Sequence, residues 1–424
     1  MKRKIFSRTI ILWLWSGIAA FAQSNVTTGP DTVLSFQEAK VRMLRYNMSI
    51  LASYYDINIA KAKVITAKQW NNPNLIFNGD MWNSETNEYL RTRNQHLFQF
   101  EQIFGIAGKH IHSVKLARIG VEMQEKQMED MVRGMLYELG NTYSDVASLQ
   151  SKQILYKQVL VNYDKLMEFT RRQLQVGAIS QVEGVRLEAE YLDVKAEALR
   201  NYNDLEVSMS DLRILLQLPE DTTFFVEQRP PVIGEEFDVK ALTETALTAR
   251  PDLEASKINI RYQQRNKKLQ VATGVPDIKV GYQPQDRGSN YIRPYHGYTT
   301  EVFVPLYNRN QGNIKAAEHQ VKQSELQFLQ LDNKVRNEVQ AAYNRYKSSN
   351  TGLANYNAEF LDRLKQLNQS TNENFQKRNI SLLQFIDQQR IFIQTNIELI
   401  ELKKLYLDNV NELNFYVGTN LIEY

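Results

Sequence analysis

The sequence predicts a mainly α-helical chain that also carries membrane-type β-strands, arranged as a duplicated helix–strand–strand–helix unit. Three observations predict it. Long stretches with an apolar period near 3.6 dominate the chain. Four short segments, two in each half, alternate apolar and polar residues instead. The halves also resemble each other. Pro73-Asn74-Leu75-Ile76-Phe77 lines up with Pro276-Asp277-Ile278-Lys279-Val280 at an offset of 203, and Ala52-Ser53 falls on Ala255-Ser256. Ile179-Ser180 and Asp211-Leu212 fall on Ile380-Ser381 and Glu412-Leu413 at an offset of 201, so one net two-residue deletion reconciles the offsets.

Residues 1–22 read as a signal peptide. Lys2, Arg3 and Lys4 precede an apolar run from Ile10 to Ala20, and Ala20-Phe21-Ala22 offers a cleavage site before Gln23. The run is too short for a membrane anchor, and no later stretch is apolar over the ~18 residues of a spanning helix. The absence of Cys excludes a lipid-modified N-terminus, disulfides and thiolate chemistry. Of 51 basic residues four lie in the leader, which leaves 47 against 48 acidic ones. So balanced a chain is not expected to bind nucleic acid. The expected organisation is a first repeat at 23–217, a Pro-containing linker at 218–237 without helical period, and a second repeat at 238–424.

Each repeat opens with a helix, in the first from Leu34 to about Tyr46 and then from Ile50 to Gln69. A very long helix follows the strands, from about Lys109 to Gln175, with Met128, Met131, Met135, Leu139, Val146 and Val159 in register. At ~1.5 Å per residue it would reach roughly 100 Å, a length that suits a coiled coil or helical barrel rather than a globular core. After a tight break, Val182, Val185, Ala189, Leu192, Ala196 and Leu199 recur at heptad spacing. That helix, about 181–216, covers ~54 Å and the one before the strands ~30 Å, so the two are expected to stack end to end along the long one.

Among the alternating segments, 74–82 puts Leu75, Phe77, Gly79 and Met81 on one face and Asn74, Asn78 and Asp80 on the other. Segment 97–103 alternates Phe98 and Phe100 with Gln99 and Glu101; 277–283 opposes Ile278, Val280 and Tyr282 to Asp277, Lys279 and Gln283; 298–306 alternates Thr300, Val302, Val304 and Leu306 with Thr299 and Glu301. Each approaches the ~9–11 residues of a tilted transmembrane strand. Soluble hairpins capping a coiled coil would carry the same pattern. As membrane strands, four cannot close a barrel, so subunits would have to pool them, with 83–94 and 284–297 as extracellular loops.

Two stretches resemble a known family. Val304-Pro305-Leu306-Tyr307-Asn308-Arg309-Asn310-Gln311-Gly312-Asn313-Ile314 is similar to the strand-to-helix junction of TolC-type outer-membrane efflux channels, particularly the CzcC/CusC heavy-metal branch. Phe104-Gly105-Ile106-Ala107-Gly108-Lys109-His110 resembles its first-half counterpart, and Val176-Gly177-Ala178-Ile179-Ser180-Gln181-Val182-Glu183 the periplasmic helix-tip turn. Gly177 can take the left-handed backbone that reverses a helix, and Ser180 can cap the next one. The resemblance implies a homotrimer whose twelve strands close one barrel in outer-membrane lipid, continued by an α-helical barrel across the periplasm. It further implies a periplasmic adaptor (membrane fusion protein) docked on the tips and an inner-membrane pump, of RND type in this branch. Metal ions or small toxic compounds would be the cargo, with drug export or type I protein secretion as the alternative. A periplasmic coiled-coil adaptor or spacer is the rival of another class, but such chains usually carry one hairpin, not a duplicated unit.

By the same resemblance, Val176, Gly177, Ala178, Ile179, Ser180, Arg378, Asn379, Ile380 and Ser381 would form the docking tips, and Glu183, Arg378, Gln384 and Asp387 the periplasmic gate. The junctions would be Gly108, Lys109, Pro305, Asn308, Arg309, Asn310, Gln311 and Gly312. The second tip departs from the family: Arg378 stands where Gly is usual, so Asn379 is expected to take the left-handed position. Ile380 replaces the basic partner expected for Glu183, which suggests a closing link from Glu183 to Arg378 instead. Gln384 leaves Asp387 as a single acidic ring. No cofactor or metal site is expected: His110 and His112 diverge on a helix start, and the Met128–Met131–Met135 stripe has core spacing. No Ser-His-Asp order, zincin motif or phosphate-cradling Gly loop suggests an enzyme.

Overall fold

The computed structural model describes residues 33–424 apart from Asp80, 85–86, 90–95, Ala178, 232–233, Glu235, 287–294, Asn357 and 423–424. The predicted leader and the middles of both predicted extracellular loops lie outside the described residues. Among the described residues no helix is long and apolar enough to cross a membrane.

A capping box starts α1 (Phe36–Tyr46): Ser35 Oγ accepts the Glu38 amide, and the Glu38 carboxylate accepts the Ser35 amide. Asn47 separates it from α2 (Met48–Lys68) by accepting from the Ser49 and Ile50 amides. The strands β1 (Asn74–Gly79) and β2 (His96–Phe104) pair antiparallel and lead into α3 (Lys109–Gln175), 67 residues without interruption. After the tip comes α4 (Gln181–Leu216). Its last carbonyls are satisfied by the α1–α2 corner, where Arg42 donates to Leu216 O and Gln217 O at 2.9 and 3.1 Å and Asn47 Nδ2 donates to Leu215 O at 3.0 Å. The expected end-to-end stack therefore forms, and α2 and α4 both pack along α3.

The second repeat runs through α5 (Val239–Ala249), α6 (Pro251–Thr273), β3 (Ile278–Asp286), β4 (Tyr295–Val302), α7 (Gln311–Ala354), α8 (Ala358–Gln376) and α9 (Leu382–Val417). Three expectations need correction. The strand expected over 74–82 ends at Gly79. The second long helix is not continuous but stops at Ala354, where Asn355 and Tyr356 close tight turns onto Gly352 O and Leu353 O. Gly352 and Asn355 are weak helix formers, and the first repeat has no such cluster at the matching level. The strand expected over 298–306 ends at Val302, because Pro305 cannot donate to a ladder and the chain must turn into the junction.

The four strands form one antiparallel sheet in the order β1-β2-β3-β4, with Phe100 opposite Tyr282 and Val280 opposite Thr300. The pairing of β2 with β3 fuses the repeats into one sheet and leaves β1 and β4 as its edges. Three cores lie along the helices. One forms between α1, α3 and α4 around Met43, Leu139, Tyr143 and Leu212. A second packs α5 to α9 around Val335, Tyr346, Tyr406 and Leu413. The third, near the tips, joins both repeats through Tyr163, Leu187, Phe375 and Phe385. A two-residue parallel ladder, Val33–Leu34 with Phe225–Val226, girdles the first core, and Tyr143 Oη donates to its edge carbonyls Leu34 O and Glu227 O.

On α4 the buried stripe is Leu187, Glu190, Val194, Asn201 and Leu212. The heptad stripe through Val182, Val185, Leu192 and Leu199 faces outward and is exposed in the protomer.

Candidate functional site

Both tips are built by the same local rules from different residues. At the first, Gly177 has φ +71 and its amide returns to Leu174 O at 3.1 Å, the left-handed position just past a helix end. Ser180 then caps α4: its Oγ accepts the Glu183 amide at 3.2 Å, while the Glu183 carboxylate accepts the Ser180 amide at 2.9 Å. The carboxylate's bond from the Ser180 amide, and then the one that Ser180 Oγ donates to it at 2.9 Å, hold the Glu183 carboxyl below its usual range. At the second tip Ser381 and Gln384 repeat the box with a neutral side chain.

The left-handed residue there is Arg378, with φ +61, and not Asn379. The reason is hydrogen-bond register. The Arg378 amide bonds Phe375 O at 2.9 Å and the Asn379 amide bonds Asn374 O at 2.8 Å, the paired 5→2 and 6→1 bonds of a Schellman end. That pattern fixes which residue must turn left-handed, and it falls on the position equivalent to Gly177. Asn379 contributes through its side chain, donating to Asn374 Oδ1 at 3.1 Å.

The expected gate residues do not meet within a protomer. Glu183 is engaged with Ser180, and the Arg378 guanidinium donates to Gln173 Oε1 on α3. Gln384 and Asp387 are exposed on the first turns of α9, Val176 is exposed at the apex, and Ile179 and Ile380 are half-buried beside it. Ala178 lies outside the described residues. A link that sequence reading missed sits farther in: Arg390 on α9 donates through Nε to both oxygens of Glu190 on α4, at 2.8 and 2.9 Å. Glu190 is 6% exposed. The signal was present, since a carboxylate between Leu187 and Val194 on a buried stripe needs a cationic partner. Burial also holds the neighbouring Tyr163 phenol above its usual range.

At the junctions, Gly108 (φ +75) and Asn310 (φ +59) are left-handed residues opening α3 and α7. Lys109 crosses to the other repeat, donating to Val275 O at 2.7 Å and to Asp277 Oδ1 at 2.6 Å. Asn310 Nδ2 donates to Gln270 O at 2.8 Å, and the preceding turn is closed by Asn308 Oδ1 on the Asn310 amide and Gln311 Oε1 on the Arg309 amide. Pro305 is half-buried, while Gly312 faces open space. Trp70 stacks on His110 at 4.6 Å, and His112 faces Arg265 at 3.2 Å. Burial, then the neighbouring cations, keep His112 below the usual histidine range.

The sheet has two chemical faces. Phe77, Phe98, Phe100, Val280, Tyr282 and Val302 are exposed on one, in register from strand to strand. The other carries Asn74, Gln99, Glu101, Lys279, Thr299 and Glu301, tied together by hydrogen bonds. An apolar face left exposed beside a satisfied polar one is the signature of strands between lipid and water.

The sequence pattern of the family described as "Outer membrane efflux protein" matches residues 41–216 and 242–419. The chain belongs to that family. It is an outer-membrane protein, of a kind that conducts rather than catalyses. Its protomer fold is similar to that of the CmeC outer membrane channel of Campylobacter jejuni (12% identity, TM-score 0.75, 92% of this chain and 87% of that one). It is also similar to VceC of Vibrio cholerae (15%, 0.71, 91% and 96%) and to CusC (17%, 0.70, 91% and 92%). The "Proteases secretion protein PrtF" of Dickeya chrysanthemi is 22% identical over 228 residues, which is 50% of this chain and 48% of that protein, so the match spans about half of the relative.

Proposed function

We propose that three copies of this chain form a passive exit duct, through which an inner-membrane pump, joined by a periplasmic adaptor, drives its cargo out of the cell. One observation carries the reading. The sheet has a lipid-type apolar face but ends in the unpaired edges β1 and β4, which lipid does not tolerate. Pooling four strands from each of three copies closes those edges, and the outward heptad stripe of α4 gains a helical partner in the same step. The energy comes from the pump; the chain supplies a path and a gate.

The tips are the adaptor's docking surface, because they are where the long helices turn back and expose backbone. Glu183, Arg378, Gln384 and Asp387 ring the aperture. A Glu183–Arg378 bridge would have to form between neighbouring copies and release Glu183 from Ser180. The junction motif around Pro305–Gly312 favours an RND-type pump with metal ions or small toxic compounds as cargo. The likeness to PrtF favours a second reading, a duct for secreted proteins. The protein should fractionate with the outer membrane and run as a trimer in mild detergent; a stable water-soluble monomer would sink the duct. A deletion strain separates the cargo readings, by metal and drug sensitivity on one side and loss of secreted protein on the other.

A further inference from the structure

The polar face of the sheet holds one more arrangement. Gly281 on β3 lies in register between Glu101 on β2 and Thr299 on β4. Having no side chain, it leaves a gap over which its neighbours fold: a Cβ there would lie 2.7 Å from Gln99 Nε2 and closer still to Thr299 Oγ1. Gln99 uses both amide hydrogens, on Glu101 Oε1 and Thr299 Oγ1, each at 2.8 Å, and its Oε1 accepts Gln283 Nε2 at 2.9 Å. The Glu101 carboxylate also accepts from Asn74 Nδ2 and from Lys279 Nζ, both at 3.3 Å, and Lys279 bridges on to Glu301. Gln99 and Glu101 are buried although the strands around them are open. Hydrogen bonds and ion pairs thus tie these side chains to one another across the polar face.

Two carboxylates and one ammonium leave this cluster with one net negative charge. The other cross-repeat pair nearby, Lys109–Asp277, is neutral. We infer that Glu101, Lys279 and Glu301 form a charged ring on the barrel wall that makes the membrane part of the duct favour small cations over anions, with Lys279 as the residue that limits the effect. The inference rests on the trimeric duct proposed above, which places the polar face toward water and repeats the cluster three times. The side chains are already taken up by one another, so the ring acts through its field and not by contact. Such a field spans the opening only when the screening length is comparable to the bore, ~30 Å at 10 mM salt and ~3 Å at 1 M.

The experiment is a reversal-potential measurement on purified full-length trimers in planar bilayers under a KCl gradient, with Asp387→Asn as the common background to remove the charge at the aperture. At about 10 mM salt, Lys279→Gln should raise the potassium-to-chloride permeability ratio about twofold and Glu301→Gln should lower it toward one, and both shifts should fade near 1 M. Shifts of opposite sign cannot come from a shared folding defect. If conducting channels of both variants keep the parent's reversal potential, the ring does not select ions. If neither the parent trimer nor its Arg378→Gly variant conducts, the duct reading itself falls.

Discussion

The two helix tips reach one backbone geometry with different residues. Each ends its incoming helix on a left-handed residue and starts the outgoing one with a Ser-based capping box, yet Gly177 and Glu183 at the first tip become Arg378 and Gln384 at the second. Gly adopts that conformation without strain, whereas an L side chain there costs about 1 kcal/mol or more. The first tip is therefore relaxed, with a charged cap. The second is strained, with a neutral cap and a cation held against α3. The hydrogen-bond register of the turn, and not the residue's own preference, decides what the backbone does.

The sharpest way to break this comparison is at the relaxed tip. Gly177→Val puts a β-branched side chain at φ +71, where the loss is conformational, since nothing lies within 4 Å of a Cβ placed there. The strain of about 1–3 kcal/mol should reshape the turn, abolish efflux or secretion and leave trimers in the membrane. Normal export by this variant would show that the turn is not the docking surface.

Next in size is the link between the two hairpins. Arg390→Ala leaves the buried Glu190 carboxylate without its cation, which should destabilise the tip-proximal core by about 1–3 kcal/mol, discounted from a fully buried pair because Arg390 itself is largely exposed. Faster amide exchange along both α4 and α9 near the tips, with the cores around Tyr143 and Tyr406 unchanged, is the expected readout. Replacing both residues with Ala should recover part of the loss, and a double variant worse than Arg390→Ala would show that the pair is not what joins the hairpins.

A smaller effect, of opposite sign, is expected at the strained tip. Arg378→Gly removes the left-handed strain and should stabilise the α8–α9 turn by about 1 kcal/mol, while freeing Gln173 from its guanidinium. Slower exchange of the Asn379 amide, together with a higher open probability in bilayers, would separate the backbone role of this position from its gating role. Slower exchange alone would assign Arg378 to the turn only.

How much of this was legible depends on whether the cause is local. Ser180 and Ser381 announce their caps three residues ahead of Glu183 and Gln384, so both turns were readable in position. The duplicated Pro73 and Pro276 segments disclosed the strands, because alternation is a property of neighbours. The left-handed Arg378 was misread for a physical reason: residue propensity favours Asn379, but the 6→1 bond to Asn374 O is set by where α8 ends. The break at Asn355 lies inside an otherwise helical period, and so weak a signal was outweighed. The cluster over Gly281 needed the register of three strands from both repeats, a long-range pairing that no single segment encodes.

The smallest effect separates the caps by pH. The hydrogen bonds from Ser180 hold the Glu183 carboxyl below its usual range, so its charged form is favoured in the folded tip. A depressed carboxyl contributes stability that is fully present above the unfolded value and is lost as pH falls through the folded one. The first cap should thus hold at neutral pH and weaken only below the ordinary glutamate value of about 4.3, as the carboxylate protonates and stops accepting two hydrogens. Gln384 does not titrate in that range, so the second cap should not respond. Measured by amide exchange at Glu183 and Gln384 between pH 3 and 6, protection at Glu183 should fall relative to Gln384 at the acid end, and Glu183→Gln should erase the difference. Equal acid sensitivity of the two amides would place the cause outside the caps, for instance in the shared core around Phe375 and Phe385. A pH-responsive cap on one hairpin and an indifferent one on the other would mean that the duplicated tips, alike in backbone, answer differently to an acidified periplasm.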